Sequence, residues 1–468
     1  MFSRNTFSAN ELVSITLKGL IIIYPVEKNK KYTVQIDAVS SEGSGIAKIE
    51  GYTLFIPDTV DGDTAEILVV KTKSSYGYGK LLQIIKPSEK RATPPCPHFS
   101  KCGGCQLMSM NYSAQLDFKK TIVTEALKRI GGISANPDII GMEKPYSYRN
   151  KMIFPIDKNC NWGFYRERSH DVIPLDNCLL GDEINRDIMN TVCDFMKEYN
   201  VPAYDETSHT GLIRRVFIRN SKAEIMVVIS SNGEKLQNSN ILVDKLINIS
   251  DKITSIILNI NKKRTNLVLG DINITLWGKD KITDTICGIN YEISPHSFFQ
   301  VNPVQTEKLY QKAIEYAEIS ENDTVMDIYC GIGTISLTAA KKAKKVIGVE
   351  IVPQAIEDAK KNAVENGFSN AEFYCAAAED IVPKLIKDGK TPDVVILDPP
   401  RKGSDEKTLS AIVSANPKRI VYVSCNPATL ARDLKFLAES GYTLTHSTAV
   451  DMFPHTTHVE SVVLMSKN

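Results

Sequence analysis

The stretch DTVMDIYCGIGTISLTAAKKAKKVIGVE, residues 323–350, decides the fold of the last third of this chain. It reads as a buried strand, a turn with two glycines, a helix and a second buried strand, which is the order found in the first half of a doubly wound parallel sheet. Asp327 ends the first strand and Glu350 ends the second. An acid at the end of the second strand is placed to bind ribose hydroxyls.

The glycine spacing in this stretch indicates which nucleoside ligand binds. The pattern is D-x3-G-x-G, whereas the pyrophosphate of a dinucleotide is usually held by G-x-G-x-x-G. We therefore expect S-adenosylmethionine, whose nucleoside carries no phosphates. Further strands follow in PDVVILDPPRKG and RIVYVSCNP, and they end at Asp398 and Cys425. Ligands of such sheets bind beyond the carboxyl ends of the strands, so both residues are predicted to border the same crevice.

A thiol at that crevice indicates the kind of reaction. Methyl transfer to oxygen or nitrogen needs only a base, but C5 of a pyrimidine is a poor nucleophile until a thiolate adds to C6. The C5 proton must then leave, so a general base is required nearby. The segment DMFPHTTHVESVVLM offers Glu460, flanked by His455 and His458. Taken alone, Cys425 would more often be a small core residue, and the glycine turn mere tight packing.

The sequence from Tyr32 to Ile85 predicts a small β-barrel. Short runs with alternating apolar positions are separated by EGSG, DGD and SSYGYG turns, which suits an OB-type barrel. Lysines and arginine outnumber acids between residues 71 and 91, with Tyr76 and Tyr78 among them. This mixture binds phosphates and stacks bases. A solvated barrel edge protected by lysines is the alternative interpretation.

Three cysteines follow the barrel in a C-x5-C-x2-C array, Cys96, Cys102 and Cys105. A cubane iron–sulfur cluster accepts three clustered cysteines and one distant one, whereas tetrahedral zinc usually has paired, compact spacing. Spacing alone leaves several cysteines open as the fourth ligand, and Cys178 in DVIPLDNCLLGDEIN is the one we favour. Reduced, buried thiols without a metal are the alternative.

Composition and charge bound the remaining possibilities. The 468 residues are 43% hydrophobic and 24% charged, and 56 Lys and Arg stand against 55 Asp and Glu, so bulk charge predicts no partner. No apolar run approaches the roughly 18 residues of a membrane span. Ten scattered cysteines argue against a secreted disulfide scaffold. We expect a cytoplasmic protein with no membrane association and no obligate protein partner.

The predicted organisation is α/β and multi-domain. An N-terminal extension covers residues 1–27, an OB-like barrel residues 28–92, a central α+β domain with the cluster residues 93–290, and a Rossmann-like class I methyltransferase domain residues 291–468. Extended runs such as LIRRVFIRN and AEIMVVISS predict a largely antiparallel sheet in the central domain. Basic residues recur on its strands, and an RNA-facing surface or ordinary exposed arginines would explain them equally well.

From about Tyr32 to Val463 the chain resembles the bacterial RNA uracil-5 methyltransferases that carry a TRAM barrel and an iron–sulfur cluster and modify 23S rRNA. The segments SFFQVN, DIYCGIGTISL, GVE, LDPPRKG, SCNP and HVES carry this resemblance. It implies Cys425 as the nucleophile and Glu460 as the base. It also implies four residues at S-adenosylmethionine, namely Gln300, Tyr329, Glu350 on the ribose and Asp398 at the methionine or base end. Phe298 or Phe299 would stack on the base, and Cys178 would complete a [4Fe–4S] ligand set with Cys96, Cys102 and Cys105.

Some features depart from the family pattern or leave alternatives open. Residues 1–27 have no counterpart, and CAAAED after the third strand lacks an acid where many methyltransferases bind adenine. An amino-group methyltransferase would usually have an aromatic residue at Arg401 and no use for Cys425. A non-catalytic RNA-binding protein with a redox-sensing cluster is a second alternative. Transfer RNA is a possible substrate, although the family's transfer-RNA branch is expected to lack barrel and cluster.

Overall fold

The structure is a computed structural model, and it describes the backbone of residues 14–17 and 20–23 and all of residues 25–167, 169–265 and 267–468. Most of the predicted N-terminal extension, residues 1–27, therefore lies outside the described residues. The chain forms two compact units. The first comprises residues 1–100, 105–118 and 455–457, and the second comprises residues 101–104, 119–454 and 458–468.

The first unit is built on a six-stranded sheet. The strands described in this unit are β1 (Ser14–Leu17), β2 (Leu20–Ile23), β3 (Lys31–Gln35), β4 (Ala38–Val39), β5 (Gly45–Ile49), β6 (Tyr52–Ile56), β7 (Thr64–Thr72) and β8 (Tyr76–Lys86). The sheet has the order β3-β7-β8-β6-β5-β4, and β1 pairs with β2 separately. Alternate residues of β6 and β7 are buried, as the period of two predicts. Gly79 lets β8 cross this core, because an added Cβ would lie 2.9 Å from Ile67.

The central segment of the second unit forms a five-stranded sheet. Helix α1 (Tyr112–Arg129) precedes this segment, and its residues 112–118 belong to the first unit. The elements of the segment are β9 (Asp138–Ile140), β10 (Lys151–Pro155), β11 (Gly163–Tyr165), β12 (Val172–Pro174), α2 (Ile184–Glu198), β13 (Ile213–Asn220), β14 (Ile225–Ser231), α3 (Ser239–Ile247), β15 (Ile253–Ile260) and β16 (Ile272–Gly278). The order is β10-β13-β14-β15-β16. Strands β14 and β15 pair in parallel and their neighbours pair antiparallel, close to the largely antiparallel sheet predicted.

The remaining elements form a hairpin and a doubly wound layer structure. They are β17 (Ile282–Ile286), β18 (Ile289–Ile293), α4 (Pro303–Ala317), β19 (Thr324–Ile328), α5 (Thr334–Ala340), β20 (Lys345–Glu350), α6 (Pro353–Glu365), β21 (Ala371–Cys375), α7 (Ala378–Lys387), β22 (Val394–Leu397), α8 (Glu406–Ala415), β23 (Arg419–Ser424), α9 (Pro427–Glu439), β24 (Tyr442–Val450) and β25 (Glu460–Lys467). The sheet order is β21-β20-β19-β22-β23-β25-β24-β9. The strands from β21 to β23 are parallel, so their carboxyl ends meet at one edge.

Continuous apolar runs in its strands explain why this sheet is buried on both faces. Strands β22 and β25 are buried over nearly their full length, as expected where helices cover both faces of a sheet. Strand β9 pairs in parallel with β24, so the sheet includes residues 138–140 from the segment that we assigned to the central domain. Within the described part of the chain, no helix is long and apolar enough to cross a membrane.

Candidate active site

The turn after β19 brings the backbone to the edge of a deep pocket. Tyr329, Gly331 and Gly333 have φ values of 68°, 54° and 84°, in the left-handed region. A tyrosine rarely adopts this conformation, and such strain concentrates at functional turns. Gly333 is required for space as well, because an added Cβ would lie 3.1 Å from the ring of Phe373. The Tyr329 hydroxyl is hydrogen-bonded to the Ser404 hydroxyl at 3.1 Å, which fixes its ring at the pocket wall.

Glu350 is held in place at the end of β20 by backbone amides. Its carboxylate accepts hydrogen bonds from the N–H groups of Gly331 at 3.3 Å, Ile351 at 2.8 Å and Val352 at 3.0 Å. The side chains of Ile351 and Val352 are 66% and 49% exposed, although both are large and apolar. A fixed carboxylate beside an apolar shelf matches a ribose with a flat base attached.

Asp398 follows β22 and begins a loop, residues 399–404, that helix α9 holds. The Asn426 side-chain amide donates a hydrogen bond to the Arg401 carbonyl at 3.0 Å, and the Arg432 guanidinium donates one to the Ser404 carbonyl at 3.0 Å. Since α9 starts directly after β23, the loop and the end of that strand are tied together. Asp398 and Arg401 therefore have defined positions at the pocket.

Cys425 and Glu460 are brought together by strand register. Strands β23 and β25 pair antiparallel with Ser424 opposite Ser461. The next pair along, Cys425 and Glu460, therefore lies at the carboxyl end of β23, and both residues line the pocket. Glu460 is 4% exposed and Cys425 is partly buried. The thiol and the carboxyl are 35 positions apart in the chain, yet they face the same cavity.

Burial and mutual repulsion control the protonation of this pair. Burial first, and then the Asp398 carboxylate, raise the pKa of Glu460 to about 8, while Arg401 acts in the opposite direction. Burial, Glu460 and Asp398 raise the pKa of Cys425 to about 11. Burial raises the pKa of Asp398 to about 7. A cationic ligand beside these groups would favour their ionised forms.

Asp327 adds a hydrogen-bond acceptor with no protein partner. The side chain is fully buried and lines the pocket, and Ser336 donates a hydrogen bond to its Oδ2 atom. The Oδ1 atom is buried without a hydrogen-bond partner. Such an acceptor is costly unless a ligand satisfies it. Together with Glu350 and the apolar shelf, it fits S-adenosylmethionine, which carries an ammonium, a sulfonium, a ribose and a flat base.

Residues of the segment from 294 to 301 form another part of the pocket wall. Phe298 is 69% exposed, whereas Phe299 is 2% exposed and packs 6.0 Å from the ring of Tyr291. Of the two rings that the sequence left open, Phe298 is therefore the one available for stacking. The Asn150 side chain donates a hydrogen bond to the Gln300 carbonyl at 3.1 Å, which holds this wall against the start of β10.

The pocket has a volume of about 1010 Å³, within the range of ligand clefts. The predicted cofactor and catalytic residues all line it, namely Gln300, Tyr329, Glu350, Asp398, Cys425 and Glu460. The structure thus brings together residues from six separate segments of the chain.

Two family models match the chain. The model described as tRNA (Uracil-5-)-methyltransferase matches residues 111–468, and the TRAM domain model matches residues 25–82. The chain belongs to the RNA uracil-5 methyltransferase family. The resemblance inferred from SCNP, HVES and the neighbouring motifs is thereby confirmed, as are the N-terminal TRAM domain and the Rossmann-like methyltransferase fold.

Relatives of this methyltransferase extend over almost all of its length. Proteins described as uncharacterized RNA methyltransferases from Clostridium tetani and Halalkalibacterium halodurans are each 46% identical to it over 94% of this chain and cover 97% and 98% of their own lengths. The crystal structure of Pyrococcus abyssi tRNA (uracil-54, C5)-methyltransferase in complex with S-adenosyl-L-homocysteine is similar with a TM-score of 0.75. It is 29% identical and covers 92% of this chain and 99% of its own. This methyltransferase is an S-adenosylmethionine-dependent RNA uracil-5-methyltransferase.

The cysteines predicted to bind a cluster fall in both units. Cys96 and Cys105 belong to the first unit, and Cys102 and Cys178 belong to the second. Among the residues that the structure describes, no group of three or more His, Cys, Asp or Glu side chains is arranged to hold a metal ion. Within the second unit, the Gly103 N–H donates a hydrogen bond to the Tyr165 carbonyl at 3.3 Å, so the loop around Cys102 lies against β11. The iron–sulfur ligand set remains a prediction.

Among the pocket residues, sequence reasoning missed residues 376–378, which are all alanine. Lys151, one of the basic residues that recur on the predicted strands of the central domain, also lines the pocket. Glu379 also lines the pocket, but its carboxylate accepts a hydrogen bond from the Thr408 hydroxyl at 3.2 Å. The sequence did contain a signal for Lys151, since YRNK places two cations at alternate positions just before a strand.

Proposed function

We propose that this methyltransferase forms 5-methyluridine in 23S rRNA with Cys425 as the nucleophile and Glu460 as the general base. The observation that carries the proposal is the juxtaposition of a thiol and a buried carboxyl at the end of β23, beside a pocket that fits S-adenosylmethionine. A structural role does not explain Glu460, because a buried carboxyl with a raised pKa destabilises the fold.

The chemistry assigns each residue one task. Cys425 and Glu460 first lose their protons to solvent, which the cationic cofactor favours, and the Cys425 thiolate then adds to C6 of uracil, which makes C5 nucleophilic. Bound S-adenosylmethionine supplies the electrophilic methyl group. Glu460 then accepts the proton that C5 must lose, and the bond between the Cys425 sulfur and C6 breaks as the double bond re-forms. The methylated base is released, the thiolate is regenerated, and one proton remains to pass from Glu460 to solvent.

Four further residues are proposed to hold the cofactor. Glu350 binds the ribose hydroxyls, because its carboxylate is fixed at the end of β20. Tyr329, in the turn after β19, and Gln300 both line the pocket and are proposed to border the cofactor. Asp398 lines the same pocket and is close enough to Cys425 to raise the pKa of its thiol, and a carboxylate there stabilises a cationic methyl donor or accepts a hydrogen bond from the base.

The decisive experiment is methyl transfer from labelled S-adenosylmethionine, followed by nucleoside mass analysis of the RNA. Cys425→Ala is expected to abolish 5-methyluridine, and Glu460→Gln to accumulate a covalent protein–RNA adduct that survives denaturation. Cys160→Ala is the matched control, since Cys160 is a partly buried cysteine that does not line the pocket. Activity that survives in Cys425→Ala, or an absence of any adduct in Glu460→Gln, would contradict the assigned roles.

The RNA substrate requires separate pools in the same assay. We propose 23S rRNA because the chain combines a TRAM domain with the cysteine array. Transfer RNA is the second candidate, because the Pyrococcus abyssi relative is a tRNA methyltransferase and is similar over almost its full length. Unmodified 23S rRNA and tRNA are therefore offered in parallel. Label in tRNA alone would keep the chemistry and overturn the proposed substrate.

We also propose that Cys96, Cys102, Cys105 and Cys178 bind a [4Fe–4S] cluster in a cytoplasmic protein. Four thiolates are the donor set that such a cluster uses. No step of methyl transfer passes through it, so its role is to hold the segment between the TRAM domain and the central sheet. Anaerobically purified protein is expected to contain iron and sulfide, and Cys102→Ser to lose both. Full iron content in Cys102→Ser would overturn the assignment.

A further inference from the structure

Three cations lie close together near Phe298, and two of them, Lys151 and Arg149, line the pocket. Lys151 begins β10 and lies directly across from Arg219 of β13 in the antiparallel register. Arg149 precedes Lys151 by two positions and also lines the pocket. Like charges opposite each other on neighbouring strands destabilise a sheet. Some other requirement must therefore keep them there.

Nearby acids do not compensate Lys151 and Arg149. Among the described residues, neither side chain takes part in an ion pair, and the Nε atom of Arg149 is buried without a hydrogen-bond partner. Burial first, and then the charges of Arg219 and Arg149, lower the pKa of Lys151 to about 8. An anionic ligand would remove this penalty.

Arg219 has a different task from the other two cations. It is 2% exposed, and its guanidinium donates a hydrogen bond to the Ser297 carbonyl at 2.9 Å. Asp284 is close enough to favour its charged form. Arg219 therefore supports the segment that carries Phe298, and of these three cations Lys151 and Arg149 line the pocket and are available to a ligand.

The aromatic ring beside these cations narrows the chemistry of that ligand. The Lys151 ammonium lies 6.0 Å from the centre of the Phe298 ring. Phe298 is 69% exposed, which is unusual for a phenylalanine in a folded protein. An exposed ring for stacking next to unpaired cations is the combination that binds a nucleotide, with the base on the ring and the phosphate on the cations.

We propose that Lys151 and Arg149 form a binding site, here called the phosphate seat, for the backbone phosphate next to the target uridine. Phe298 stacks on a base of the same RNA segment. This inference rests on the proposed function, because it assumes that RNA enters the pocket. The pocket then serves two charged ligands. The carboxyl groups of Asp327, Glu350 and Asp398 are available to the cationic cofactor, and Lys151 and Arg149 bind the polyanionic substrate.

The test compares Lys151→Met with Lys151→Arg and with the control Lys235→Met, which removes an exposed lysine of the central segment. The probe is a short single-stranded RNA that contains uridine, and its affinity is measured by fluorescence anisotropy over a series of salt concentrations. Lys151→Met should bind about tenfold more weakly and lower the salt slope by about one, because one phosphate contact is lost. Lys151→Arg and Lys235→Met should bind like the unmodified protein.

A second ligand separates this seat from a cofactor role. S-adenosylhomocysteine binding, measured by calorimetry, should be unchanged in Lys151→Met. A parallel loss of S-adenosylhomocysteine affinity would mean that Lys151 holds the methionine carboxylate, and it would overturn the proposal. RNA affinity and salt slope equal to those of the unmodified protein would overturn it as well.

The results also separate a failure of the phosphate seat from a failure of the proposed function. If the unmodified protein methylates RNA but Lys151→Met binds RNA normally, only the seat fails. If the unmodified protein neither binds nor methylates RNA, both fail. Thermal melting serves as the check on folding, and it should show no loss of stability, since the substitution removes a repelled, partly buried cation.

Discussion

At the scale of single residues, Glu460 shows how the site lowers stability for the sake of chemistry. Its carboxyl is 4% exposed, and burial together with Asp398 raises its pKa from 4.5 to about 8. Between these two values the folded protein keeps a proton that the unfolded chain has lost. Unfolding free energy therefore falls as the pH rises from about 4.5 to about 8.

Replacement of Glu460 by Gln should remove this pH-dependent loss of stability. Near pH 8.5 we expect Glu460→Gln to be more stable than the unmodified protein by on the order of 2 kcal/mol, and near pH 4.5 the two should be about equal. Chemical denaturation at both pH values measures the difference. A variant that is less stable at the higher pH would contradict the buried, protonated carboxyl.

At the scale of elements, helix α9 organises the loop that carries Asp398 and Arg401. Asp433 on α9 is 1% exposed, and it accepts hydrogen bonds from the Ser404 N–H at 2.8 Å, the Tyr422 hydroxyl at 2.5 Å and the Arg432 guanidinium at 2.7 Å. Ser404 in turn contacts the Tyr329 hydroxyl. One buried carboxylate thus connects Tyr329 at the pocket wall, the loop of residues 399–404 and strand β23, which Cys425 follows.

Asp433→Asn should loosen this connection while it preserves the size of the side chain. Loss of the charge beside Arg432 and of one acceptor is expected to destabilise the protein by about 2 kcal/mol. Asp433 does not line the pocket but helps to hold the loop that carries Asp398 and Arg401. Asp433→Asn should therefore lower the methylation rate at saturating RNA by a larger factor than it lowers the affinity for RNA. The control Asp388→Asn changes an exposed acid after α7. Equal rates for the two variants would mean that α9 does not position the loop.

At the scale of the whole molecule, charged side chains form local clusters although the net charge is only +1. The second unit carries acids at the cofactor end of its pocket. The TRAM domain carries exposed lysines on β7 and β8 and in the turn between them, Lys71, Lys73 and Lys80. Phe55, Tyr76 and Tyr78 form an aromatic cluster on the same sheet, with ring centres 5.7–6.0 Å apart. Cations with aromatic rings are typical of a single-stranded RNA surface.

Replacing these three lysines by Gln should weaken RNA binding without affecting the cofactor. We expect the salt slope to fall by about two to three, since each lost phosphate contact contributes slightly less than one. S-adenosylhomocysteine affinity should be unchanged. Lys235, Lys262 and Lys263, which are exposed in the central segment, provide the triple control. If the control triple weakens RNA binding as much as the TRAM triple, the TRAM lysines have no special role.

The sequence by itself determined the class of fold and the chemistry that the site can perform. The strand–turn–helix order of residues 323–350, the alternation from Tyr32 to Ile85 and the positions of Asp398, Cys425 and Glu460 are local patterns, and local periodicity and strand ends are readable without coordinates. The family assignment rests on the same motifs. The position of the ligand site, at the carboxyl ends of the parallel strands, follows from the topology of such a sheet.

Only the tertiary structure decided the features that depend on contacts between distant residues. It exposed Phe298 and buried Phe299, left Oδ1 of Asp327 without a partner and set Lys151 opposite Arg219. It also added β9 to the methyltransferase sheet. Burial and strand register are set by packing across the whole unit, so neighbouring residues with the same chemistry acquire different roles that no local pattern distinguishes.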